Sequence, residues 1–152
     1  MNWVIMVLAG CFVLWLSGAM LGGRSQERQY GPLPSNENIS PNIHDAPYLD
    51  CCDRPQVVDV RLIYEEPHDC ETLCQCKTCG AYWFWRFNEW VNFSGGDDDW
   101  TVWYSGLTPE QGKLIMEAQA RPDLSFLSAA PAFRKDATGV ARVKGQPTYP
   151  ER

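Results

Sequence analysis

The sequence predicts an α+β protein: one N-terminal transmembrane helix, an extended linker, a small antiparallel β meander closed by a metal-binding knuckle, and a C-terminal helix. Three observations lead there. Residues 3–23 carry no charged side chain; Cys74-Gln75-Cys76-Lys77-Thr78-Cys79-Gly80 runs directly into the aromatic stretch Tyr82-Trp83-Phe84-Trp85; and apolar side chains alternate with period 2 on both sides of that stretch. The expected partition is a transmembrane helix over 3–23, a Pro-rich linker over 24–50, a small α+β domain over 51–127 and a basic Pro/Gly-rich tail over 128–152. A domain that small buries a modest share of its surface, so a metal, disulfides or a partner is an expected supplement. The 7 Cys and 7 Trp fit that expectation, and the net charge of −6 argues against nucleic acid, whose phosphates are held by Lys and Arg.

At 1.5 Å rise per residue, about 20 apolar residues cross the roughly 30 Å hydrocarbon layer, which residues 3–23 satisfy. Leu8-Ala9-Gly10-Cys11 looks like a lipoprotein cleavage box. No Lys or Arg precedes it and the apolar run continues past Cys11, so a retained span is the preferred reading, and the same lack of a basic flank disfavours a cleaved secretory signal. Arg24 and Arg28 follow the span, which by the positive-inside tendency places the C-terminal body in the cytoplasm. Gly18 and Gly22, with Gly10 two turns earlier, offer a small-residue strip for a partner helix, although Gly is common in membrane helices.

Pro32, Pro34, Pro41 and Pro47 punctuate the linker and deny it helix or ladder, so an extended tether or a strap is expected, with Tyr30, Ile39, Ile43 and Tyr48 as anchors. His44, alone in this segment, is expected in solvent. In Val57-Val58-Asp59-Val60-Arg61-Leu62-Ile63-Tyr64 the even positions are apolar, which predicts a strand; Glu65 to Asp69, with Pro67, reads as a loop. A second strand is expected over 81–93 and, after the turn residues 94–99, a third over 100–104. The aromatic surplus implies either a partner surface or cover from the helix and tether. Thr108-Pro109-Glu110-Gln111 is a helix start with a reciprocal cap, giving a helix to about Ala120, and 123–127 suggests one more short turn. The tail carries Arg134, Lys135, Arg142, Lys144 and Arg152, pointing to disorder or to contact with acidic lipid heads.

Cys76 and Cys79, with Gly80 free to take positive φ, form the strongest ligand pair, and a tetrahedral zinc needs two more donors. The preferred set is Cys52, Cys74, Cys76 and Cys79; Cys51 or Cys70 are substitutes and His68 is weaker, since adjacent Cys51 and Cys52 side chains diverge. Disulfides are the alternative if the body lies outside the cytoplasm. The knuckle from Cys76 to Gly80 resembles those of zinc ribbons and rubredoxin-like proteins. That resemblance implies a second Cys-x-x-Cys knuckle, in whose place this chain has Cys51-Cys52-Asp53-Arg54-Pro55. The wider pattern also resembles small membrane-anchored bacterial proteins and carries no catalytic residue over.

A closed four-thiolate zinc is structural; iron in the same cage would carry an electron, but no residue selects it. No phosphate loop, dinucleotide fingerprint or Ser-His-Asp set is present, so neither an enzyme nor a small-molecule substrate is expected. Asp97-Asp98-Asp99 reads as a solvated hairpin tip, and Glu89 as a structural partner of Arg86 or Arg61. The function expected is a non-catalytic accessory subunit whose zinc-stapled module docks on a larger membrane protein complex. A rubredoxin-like electron carrier and an immunity or regulatory protein that binds a soluble basic partner are the alternatives.

Overall fold

In the computed structural model the described residues are 42–94 and 99–146. They form seven antiparallel strands whose spatial order equals their order in the chain, curved into a half-barrel. The strands are β1 (Ile43–His44), β2 (Val57–Glu66), β3 (Asp69–Cys76), β4 (Tyr82–Trp90), β5 (Asp99–Leu107), β6 (Pro131–Asp136) and β7 (Gly139–Lys144). A single α-helix, α1 (Pro109–Glu117), and a 3-10 turn (Ser125–Ser128) connect β5 to β6.

The expected small meander is therefore corrected to a sheet of more than twice as many strands. The expected loop at Pro67 is only the hairpin turn between β2 and β3, and Cys70 to Cys76 lie in a full strand. The last part of the linker also belongs to the sheet: β1 pairs with β2 through Ile43↔Val58 and His44↔Val57, and Ala46 and Leu49 are in the core. Residues 131–144, expected in the tail, pair as a hairpin, and β6 joins β5 through Tyr104↔Phe133. The expected transmembrane span over 3–23, with Gly10, Gly18 and Gly22, lies outside the described residues. Among the described residues no helix is long and apolar enough to cross a membrane.

Because strand side chains alternate, the sheet has two apolar faces. One gathers Val57, Cys74, Cys76, Trp83, Tyr104 and Phe133 under Ala46 and Leu49, so the segment before β2 is its cover. The other gathers Ile63, Leu73 and Phe84 under Ile115, Leu124 and Leu127, so α1 and the turn after it are the second cover. Trp83, Phe84, Tyr104 and Phe133 are buried in these two layers, whereas Trp90 at the end of β4 and Phe93 just beyond it remain exposed.

A bulge in β2 lets one strand serve both faces. Asp59 pairs with Cys74, but Arg61 pairs with Leu73, so the residue between them is extra and the alternation shifts. Asp59 thus joins the Cys74 face, whereas Arg61, two residues on, reaches under α1 and donates to the carbonyls of Met116 and Ala118. The last turn of α1 has no basic residue of its own, so β2 supplies the cation that its negative end favours. At its other end the reciprocal cap forms as expected: Gln111 N–H donates to Thr108 Oγ1 at 3.2 Å, and Thr108 N–H donates to Gln111 Oε1 at 2.9 Å.

Candidate metal centre

The knuckle follows β3 because Cys76 is its last residue. Cys76 N–H donates to the Ala81 carbonyl and Gly80 N–H to the Cys76 carbonyl, each at 2.8 Å, which folds 76–81 back on itself. The corner residue Gly80 has φ +78°, a conformation that costs a side-chain-bearing residue. Two further bonds tie this turn to the chain before β2: Lys77 N–H to the Gln56 carbonyl and Thr78 Oγ1–H to the Arg54 carbonyl, each at 2.8 Å. The bend over 51–54 is thereby pinned against the knuckle, and it carries Cys51 and Cys52.

The result is a group of four thiols. The sulfurs of Cys51, Cys52, Cys76 and Cys79 all lie within 4.8 Å of one another. Cys52 Sγ stands 3.8 Å from Cys76 Sγ. A tetrahedron with metal–sulfur bonds of about 2.3 Å has edges of about 3.8 Å, so this spacing fits a four-thiolate site. Cys76 is buried, Cys51 and Cys52 are partly so, and Cys79 faces solvent. All six described cysteines are free thiols.

The electrostatics of the group are uneven. Burial opposes ionisation of Cys76, but the backbone groups of Cys79, Gln56 and Thr78 outweigh it and bring its pKa down to about 6. Burial, together with the charge on neighbouring Cys76, pushes Cys51 up to about 12. One thiolate therefore forms readily, whereas burial makes Cys51 and Cys52 resist until a cation shares the charge.

Of the expected ligands Cys52, Cys74, Cys76 and Cys79, the structure brings together Cys52, Cys76 and Cys79. Cys51 takes the fourth place, because the chain bends continuously through 51–54 and its neighbouring side chains do not diverge as they would in a strand. Cys74 lies away from that group, beside His44 and Asp59. Cys70 contacts Thr72 Oγ1 at 3.8 Å and joins neither group. His68 pairs with Glu89 at 2.9 Å, so Glu89 partners this histidine rather than the expected arginines. Arg86 instead lies 3.5 Å from Asp69, and Arg121 lies 2.5 Å from Glu71. His44, expected in solvent, is packed edge-on against Trp85 at 5.1 Å and Tyr104 at 5.8 Å. The expected acidic tip reaches beyond the described residues, which omit 95–98.

Comparison with protein-family models, with curated proteins and with solved structures finds no match. What the chain's own residues define is a β-sheet module with a four-cysteine group that could hold a metal ion.

Proposed function

We propose that the module is a non-catalytic, zinc-stapled accessory subunit that docks on a larger membrane protein complex. The observation that carries the metal half of this reading is the four sulfurs within 4.8 Å. Four thiolates fill the tetrahedron of zinc and leave no position for water or substrate, which is the pattern of a structural site. The ion would join the bend at 51–52 to the knuckle at 76–79, and so clamp the covering segment onto the sheet. Zinc is favoured over iron because a staple needs no electron and no residue of the group calls for one.

Two features support docking. Trp90 and Phe93 are 60% and 94% exposed at one end of β4, a pair of large rings set in water where apolar contact would repay burial. The uncharged run over residues 3–23 has the length of a membrane span and would bring this surface to a membrane complex.

Metal content and free-thiol count on the purified full-length chain test the staple: bound zinc with Cys51, Cys52, Cys76 and Cys79 protected is expected, and iron, or those four thiols unprotected without metal, would overturn it. Extraction in mild detergent tests docking. A particle much larger than one chain is expected, and a particle of monomer mass would remove the accessory role.

A further inference from the structure

The apolar face that carries Cys76 holds a second set of ligand atoms outside the four-cysteine group. His44 Nε2 lies 2.6 Å from Asp59 Oδ1 and 3.7 Å from Cys74 Sγ, and Asp59 Oδ1 lies 3.3 Å from the same sulfur. Nitrogen, oxygen and sulfur thus form a small triangle. The side chains of His44 and Asp59 are 9% and 8% exposed, and Cys74 is fully buried.

A hydrolytic Cys-His-Asp arrangement would set thiol and carboxylate on opposite nitrogens of the imidazole, so that one end takes a proton while the other is oriented. Here both face Nε2. The other nitrogen, Nδ1, is occupied by the Tyr104 hydroxyl at 2.9 Å. That is the arrangement of a ligating histidine, whose far nitrogen is held by an outer partner while the near one is aimed at the ion.

We propose that His44 Nε2, Asp59 Oδ1 and Cys74 Sγ form a second binding site for a single divalent ion of the zinc class, oriented by Tyr104. In a tetrahedral zinc complex the edges between N, O and S donors are about 3.3–3.6 Å. The two edges to sulfur, 3.3 and 3.7 Å, are already near that range; only the 2.6 Å contact between His44 and Asp59 must open, by less than about 1 Å. Charge balance suits the burial. One thiolate and one carboxylate neutralise a divalent ion, so the filled site carries no net charge into an apolar layer where an unbalanced one would be costly.

Before binding, Nε2–H donates to Asp59 and Nδ1 accepts from the Tyr104 hydroxyl. On binding, the ring proton resides on Nδ1 and donates to the Tyr104 oxygen, whose own proton turns to Tyr48; the Nε2 lone pair goes to the ion, and the Cys74 thiol proton leaves to solvent. The route in is β1, a two-residue strand that carries His44 and is held to β2 by that short pairing and the bond from Asp59 N–H to the Asn42 carbonyl. Three protein donors leave a fourth position for water or an exogenous ligand, in contrast to the closed group beside it.

Titration of the full-length, metal-free chain with zinc, followed by competition with a chromophoric chelator, tests this. Two ions per chain are expected, falling to one in His44→Gln and to one in Cys79→Ser. One ion that is lost in Cys79→Ser and kept in His44→Gln overturns the second site and leaves the four-cysteine staple standing. The converse pattern removes the staple and supports the second site. Cobalt titration of the unaltered chain makes the test independent of whether a variant folds. The second equivalent should add about a quarter of the sulfur-to-metal absorbance of the first, because one thiolate replaces four. A cobalt spectrum that saturates at a single equivalent sinks the proposal.

Discussion

Cys74 and Cys76 stand two residues apart on β3 and are buried on the same face of the sheet, yet each belongs to a different cluster of ligand atoms. Their backbones are about 6.6 Å apart at about 3.3 Å per residue, yet Cys74 Sγ is set beside His44 Nε2 and Asp59 Oδ1 whereas Cys76 Sγ meets Cys52 Sγ. The strand therefore divides its two thiols between the bend at 51–52 and the edge strand β1.

Removing the metal should loosen the cover over this face. A ligand bound only by the folded state stabilises it by about 4 kcal/mol when its free concentration is 1,000 times its Kd. Thermal unfolding with excess zinc and then with chelator should show a marked drop in Tm, and Cys79→Ser should start near the chelated value. A Tm that ignores the chelator would count against a staple.

Cys76 and Cys51 should ionise in well-separated stages in the metal-free chain. Cys76 has its pKa lowered to about 6, so its thiolate is present above that pH and lost below it, whereas Cys51, raised to about 12, stays protonated through neutrality. Thiolate absorbance should therefore rise first near pH 6 by one group, and Cys76→Ser should erase that step. A single rise near the ordinary thiol range would contradict the asymmetry.

Arg61→Met should destabilise the module by about 2 kcal/mol, because two carbonyls at the end of α1 lose their buried donor. Arg61→Lys keeps the charge but loses the fork, and should recover part of the loss. Denaturant unfolding of the three proteins measures both effects.

Gly112→Ala should also destabilise, against helix propensity. A methyl there would come within 2.8 Å of Tyr82 Cβ and closer to its ring, forcing α1 off β4. The gain of about 1 kcal/mol from replacing glycine in a helix is set against an overpacking cost of about 1–3 kcal/mol. A net loss of roughly 1 kcal/mol in chemical unfolding is expected, and an unchanged or raised midpoint would contradict the packing.

The parts of the fold that carry local signals were legible in the sequence. Thr108 and Gln111 announce the start of α1, the alternation over 57–64 marks most of β2, and the turn residues after Phe93 separate β4 from β5. β3 was hidden because its inward positions include Asp69 and Glu71, which read as solvent until Arg86 and Arg121 arrive from β4 and from beyond α1. β6 and β7 were hidden by their Ala, Pro and charged residues, since only Ala132 and Phe133 are buried there.

The four-cysteine group was half legible for a related reason. The Cys76-to-Cys79 spacing is a local pattern, but which earlier cysteines join it depends on where the chain before β2 returns, and Thr78 bonded to Arg54 decides that. Nothing adjacent in the chain marks His44, Asp59 and Tyr104 as companions. The one hint was Asp59, a charge on the same strand face as Val57.

Because each strand lies beside its neighbours in the chain, synthesis delivers the hairpins in the order in which they pair. Such short-range wiring favours rapid assembly, since little chain entropy is lost at each closure. The contact between the bend at 51–54 and the knuckle, made by Thr78 with the Arg54 carbonyl, is an exception that must bridge more than one strand, and it can close as soon as β3 and its turn have emerged. The four thiols can thus be brought together before β4 is complete, making the first half of the sheet a template on which the remainder is laid down.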